Sequence, residues 1–163
     1  MLINRRKSIK QIITTGLSLS MASLLSANNS KGEETMDDQL KHILNGKIIN
    51  LENMILINKL QWKEHPVNKG VSLLHLITGN MTNGLFSSHL VKIDKSCSIA
   101  QHTHPDHYEL HEVICGAGTV IMRNNEIEYK SGIMAVIPQN IEHSVHAKNE
   151  NLYLMAKFFP ALI

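Results

Sequence analysis

Gln101-His102-Thr103-His104-Pro105-Asp106-His107-Tyr108-Glu109-Leu110-His111-Glu112-Val113 is the stretch on which the reading of this chain turns. On an extended strand successive side chains alternate faces, so His102 and His104 project to the same side. Pro105-Asp106 breaks the strand, and the chain returns with Glu109, His111 and Val113 sharing one face. Glu109 can then meet the two imidazoles, and His143, after the turn Pro138-Gln139-Asn140, can supply a fourth donor. Three neutral nitrogens and one carboxylate suit a divalent Fe, Mn, Ni, Co or Zn ion whose remaining coordination positions stay open. Glu112 is a rival to Glu109. It faces away on a regular strand, but a β-bulge near Tyr108 would bring it inward.

Short strands and turns extend outward from this stretch. Val71–Thr78 reads as a strand closed by a turn at Gly79-Asn80, and Leu85–Ile93 as another, turned by Asp94-Lys95-Ser96. Thr119–Arg123 and Glu126–Lys130 flank Asn124-Asn125, residues that tolerate the positive φ of a tight hairpin. Ala135–Ile137 precedes Pro138, and Leu152–Phe159 is the last apolar strand. Strands at roughly ten-residue spacing point to an all-β barrel or sandwich. The interior is assigned to Leu90, Ile99, Val113, Val120, Met122, Ile137, Val145 and Met155.

The two histidine-bearing segments resemble the motifs of the cupin superfamily, G-x5-H-x-H-x(3,4)-E-x6-G and G-x5-P-x-G-x2-H-x3-N. His102, His104, Glu109 and Gly116 sit at the intervals of the first, and Gly132, Pro138 and His143 at those of the second. Ser96 stands where the first motif has its leading glycine, Asn140 where the second has its turn glycine, and Ala147 where it has its asparagine. The resemblance implies a single jelly-roll barrel with His102, His104, Glu109 and His143 in the metal-ligand positions. It covers about half the chain, with a motif core at 85–159 inside a cupin domain of 48–163.

Residues 1–27 read as an export signal: a basic start followed by the apolar run Ile12–Leu25, too short for a stable membrane span. Asn4-Arg5-Arg6-Lys7-Ser8-Ile9-Lys10 resembles the twin-arginine motif, so a periplasmic location is expected, with the cytoplasm as the alternative. Residues 28–47 read as a linker with a possible short helix at Gln39–Leu44, stopped by Gly46. The formal charge of +2 comes from that basic start. Without Arg5, Arg6, Lys7 and Lys10 the chain has 12 basic residues against 14 acidic ones. No basic patch remains to argue for nucleic acid, and after processing no membrane anchor is expected. Cys97 and Cys115 lack the spacing of a zinc or redox site and read as buried hydrophobes, or as a disulfide at strand ends of one sheet if the protein is exported.

The expected activity is that of a metal-dependent enzyme acting on a small organic molecule in the barrel, of dioxygenase, isomerase, decarboxylase or lyase type. His111 and Tyr108 are the candidates for proton transfer. The alternative is a binding or sensing module without turnover, because Tyr108–Ile114 resembles the corresponding stretch of sugar-sensing cupin domains. A homodimer is possible on either reading.

Overall fold

The computed structural model describes residues 36–163. The expected export signal and the first part of the expected linker lie outside the described residues. Helix α1 (Met36–Leu44) is followed by a small hairpin, β1 (Lys47–Ile49) with β2 (Met54–Leu56), and then by β3 (Lys63–Glu64). Strand β4 (Val71–Ile77), a four-residue helix α2 (Gly79–Thr82) and β5 (Ser87–Ile93) come next. They lead to β6 (Ser98–His102), β7 (Tyr108–Cys115), β8 (Ala117–Met122) and β9 (Asn125–Lys130). The chain closes with β10 (Met134–Ile137), β11 (His143–Ala147) and β12 (Leu152–Phe159). Among the described residues no helix is long and apolar enough to cross a membrane.

Two antiparallel sheets make a jelly roll, one ordered β10-β7-β12-β5-β4-β3 and the other β6-β11-β8-β9. Strict alternation builds the space between them. Val91, Ile93, Val113, Leu152, Leu154 and Phe158 of the larger sheet meet Val120 and Val145 of the smaller in one core. At about 25 cal/mol per Å² of apolar surface removed from water, each such side chain contributes about 1.5–3 kcal/mol. The larger sheet is also covered from outside. Leu40 of α1 and Ile57 pack with Leu74, Leu76, Leu90 and Cys115 in a second core.

Four expectations are corrected here. Leu90 and Met155 belong to the outer core, because each is one residue out of phase with the inward set of its own strand. The β8–β9 loop is Arg123-Asn124, since Met122 pairs with Asn125. Arg123 takes the positive φ, 53°, and its N–H is held by the Glu142 carbonyl at 3.0 Å, so contact with β11 sets the turn one residue early. Cys97 and Cys115 are not joined; Cys115 ends β7 in the larger sheet, whereas Cys97 lies in the turn before β6 of the smaller one. Gly79-Asn80 opens α2 rather than a simple turn.

The departures from the motif glycines have a conformational reading. Ser96 and Asn140 both adopt left-handed backbone, with φ of 60° and 62°. The turns keep the geometry that glycine would allow without strain, at an expense of roughly 1 kcal/mol each.

Candidate metal centre

Four elements converge at one end of the space between the sheets. His102 ends β6 and lies directly opposite His143, the first residue of β11. His104 sits two residues past the end of β6, and the Pro105-Asp106 turn delivers Glu109 at the start of β7 in the facing sheet. One donor atom from each of His102, His104, Glu109 and His143 lies within 4.8 Å of all the others. The alternation read from the sequence holds on β7: Glu109, His111 and Val113 are buried inward. Glu112 points outward and bonds Lys157 Nζ at 2.6 Å.

The imidazoles are oriented by the backbone. His102 Nδ1–H donates to the Ala100 carbonyl at 2.9 Å, and His143 Nδ1–H to the Ile141 carbonyl at 3.0 Å. Each bond places a proton on Nδ1 and turns Nε2 into the site, where that of His143 meets Glu109 Oε2 at 3.0 Å; a metal would take the place of the proton on that nitrogen. His104 Nε2 is buried with no hydrogen-bond partner; it lies 3.3 Å from Glu109 Oε2 without bonding geometry. An orphaned buried nitrogen is destabilising unless something fills its lone pair. That observation and the N₃O donor set fit a divalent transition ion.

Electrostatics agree. Burial pushes the Glu109 carboxyl up, but the electrostatic pull of His111, the close approach of His104 and the hydrogen bonds from His111 and His143 outweigh it and hold Glu109 well below the usual carboxylate range. Burial draws His143 down, yet the bond and charge of Glu109 and the Ile141 carbonyl leave it raised. His102 is lowered, chiefly by burial and then by the charges of His143 and His104, which override its bond to Ala100. The carboxylate is therefore ionised at neutral pH and the imidazoles are poised to exchange protons for a metal.

His111 and Tyr108, the two proton-transfer candidates, are separated by the structure. Tyr108 alternates onto the outer face and is 49% exposed. His111 is buried, with Nε2 2.7 Å from Glu109 Oε1 and Nδ1 2.9 Å from the hydroxyl of Tyr129. Because Glu109 is ionised, Nε2 must carry the proton; a lone pair at 2.7 Å from a carboxylate would be repelled. Nδ1 is then an acceptor and the Tyr129 hydroxyl donates to it. Burial first, and then Glu109, push the Tyr129 phenol up and keep that proton in place. Tyr129 was not among the sequence candidates. The alternation Ile127-Glu128-Tyr129 on β9 marks its face, but no periodicity identifies its partner. His107 instead donates through Nδ1 to the Pro160 carbonyl, and His146 bonds Ser144 Oγ.

The ligand set opens onto a cavity of about 100 Å³. His102, His104, Glu109 and His111 occupy one wall, and the others are built from residues such as Val71, Leu73, Val91, Leu154, Phe158 and Leu162.

Residues 89–156 match the family model of the cupin domain. That segment is a cupin domain. The fold of this cupin is similar to that of KdgF from a Halomonas species, at 19% identity and a TM-score of 0.57, over 63% of this chain and 90% of that one. It is also similar to a predicted oxalate decarboxylase from Thermotoga maritima, at 19% identity and 0.58, over 63% of this chain and 95% of that one. Ectoine synthase from P. lautus matches at 19% identity and 0.53, over 58% and 67%. At such identity the likeness is one of fold. No curated protein sequence matches the chain.

Proposed function

We propose that this cupin is a metal-dependent enzyme that acts on a small organic molecule bound in the barrel. The observation that carries the reading is the placement of three potential ligands, His102, His104 and Glu109, in the wall of the apolar cavity. A structural ion is enclosed by its ligands, whereas a catalytic ion keeps a position facing the substrate. His102, His104, Glu109 and His143 would hold the ion. When bound it would act as a Lewis acid on a polar group of the substrate. Glu109 is held by His111 through Oε1, which leaves Oε2 turned to His104 and His143. His111 holds a proton at Nε2 in the cavity wall, and Tyr129 stands behind it with a second proton for Nδ1. The pair forms a short path for proton transfer to a bound molecule. The apolar walls exclude water from that reaction. The same reading includes export, with Arg5 and Arg6 as the recognised pair.

Two measurements on purified protein test this proposal. Loaded with Mn²⁺, it is expected to enhance solvent-proton relaxation through at least one exchangeable water, and to turn over a substrate in a screen of oxygen uptake and of small-acid consumption. An ion with no exchangeable water would make the metal structural and overturn the enzymatic reading.

A further inference from the structure

The cavity that receives the substrate has an unusual division of polarity. Its polar groups lie in the wall formed by His102, His104, Glu109 and His111, with His65 as the one addition. The His65 Nδ1 atom accepts the backbone N–H groups of Val67 and Asn68, and burial lowers its pKa, so the ring is neutral. Among the described residues lining the cavity there is no lysine or arginine, and Glu109 is the one carboxylate. The remaining walls are aliphatic or aromatic.

This lining sets a charge balance. A divalent ion held by three neutral imidazoles and the Glu109 carboxylate leaves a net charge of +1. One anionic head group on the ligand compensates it. A second anionic group held away from the ion by the body of the ligand would have to be buried against Val71, Leu73 and Leu154 with no cation to meet it, which is strongly unfavourable. Hydroxyl groups along the ligand would likewise be stripped of water and left without partners. Size sets a second limit. A cavity of about 150 Å³ admits benzene, so about 100 Å³ accommodates a body of roughly four to six heavy atoms.

Leu162 shapes the remaining wall. It belongs to a C-terminal strap laid across this end of the barrel. The strap is held by Leu162 N–H to Ser87 Oγ at 3.0 Å and Ala161 N–H to the Gly84 carbonyl at 3.0 Å. These bonds pin the backbone while the Leu162 side chain reaches the cavity.

We propose that the cavity selects a compact molecule with a single anionic head and an uncharged apolar body, the class of short branched monocarboxylates, and that Leu162 sets the accepted length. The proposal rests on the metal-dependent reading above for the head group and on the cavity walls alone for the apolar body. Dicarboxylates whose second charge lies beyond reach of the ion, and polyhydroxy acids, are disfavoured by the same walls.

Two titrations separate these parts. Co²⁺-loaded protein is titrated with isobutyrate, succinate and glycerate while its visible absorption bands are followed. Isobutyrate is expected to bind at least about tenfold more tightly than either of the others; tighter succinate or glycerate overturns the class. In parallel, metal-free protein is examined by ligand-observed NMR with isobutanol and with glycerol. Binding of isobutanol alone is expected. Equal binding of both overturns the apolar body even if the ion is bound as described. Isobutanol binding in protein that takes up no Co²⁺ overturns the metal reading and the anionic head together, and leaves the apolar body supported. Leu162→Ala removes three carbons from the wall and is expected to shift preference toward hexanoate over butyrate by about fivefold. An unchanged ratio overturns the role of Leu162.

Discussion

Two clusters of histidines lie between the sheets and behave in opposite ways. In one, His111 and His143 surround Glu109 at 2.7 and 3.0 Å. In the other, His89 is fully buried between His75, whose Nδ1 is 3.0 Å from its own Nδ1, and Ser87 Oγ, 3.0 Å from its Nε2. Residue type and depth are alike, and the carboxylate is the difference. His143 is raised because its bond to Glu109 and the charge of that group, with the Ile141 carbonyl, outweigh burial. His89 is lowered to about 4, by burial and then by His75, with only partial opposition from the more distant Glu109. One cluster is built to hold positive charge and the other to exclude it. The first is suited to a cation; the second is a neutral hydrogen-bonded link beneath the C-terminal strap, where Ser87 also receives the Leu162 N–H.

The most direct way to break this contrast is to remove the carboxylate charge. Glu109→Gln is expected to weaken Co²⁺ binding by more than about 100-fold, since a neutral amide is a poor ligand and the histidines lose their compensating charge. Glu112→Gln, whose side chain meets Lys157 outside the barrel, should bind within about twofold of the parent. Calorimetric titration of the two variants side by side gives both numbers.

A pH series sharpens the other half. His89 titrates near 4 in the folded protein and near 6.5 when unfolded, so between those values the unfolded chain binds the extra proton and stability falls as pH falls. The full loss attributable to His89 is about 3 kcal/mol. Denaturant unfolding of metal-free protein at pH 7 and pH 4 should show that difference between the parent and His89→Gln. Equal pH dependence in the two would mean that His89 is not held neutral. The metal cluster runs the same direction for a different reason. As pH falls into the imidazole range, protons displace the ion, and the raised His143 begins that competition early.

Smaller effects follow from the groups behind the carboxylate. Tyr129→Phe leaves His111 Nδ1 buried without a donor. It is expected to lower stability by about 1–2 kcal/mol and Co²⁺ affinity by about tenfold. The ¹⁵N shifts of His111 should move away from a pure Nε2–H tautomer, which simple loss of packing would not cause. Ser96→Gly relieves a left-handed serine at φ 60°. It should raise stability by about 0.5–1 kcal/mol without altering metal binding, as read from the denaturation midpoint.

The legible parts of this molecule were those governed by alternation. The phase of Glu109, His111 and Val113 against Glu112 follows from a period of two, and the motif intervals then place His102, His104 and His143 with them. What alternation cannot supply is the identity of the element opposite. Apolarity alone places Leu90 and Met155 in the interior, yet each stands on the outward face of its strand, where α1 and Ile57 cover it. Tyr129 was missed for the same reason, since its partner is 18 positions away on another strand. The β8–β9 turn lies one residue early because Glu142, just before β11, captures the Arg123 N–H, a long-range contact that local turn preferences do not contain.

The central claim is that four residues from both sheets hold one ion. Elemental analysis after loading with Co²⁺ and desalting tests it directly, with circular dichroism to verify folding. The account predicts about one equivalent in the parent and less than half an equivalent in folded His102→Ala and His143→Ala. Full metal content in both variants would contradict it.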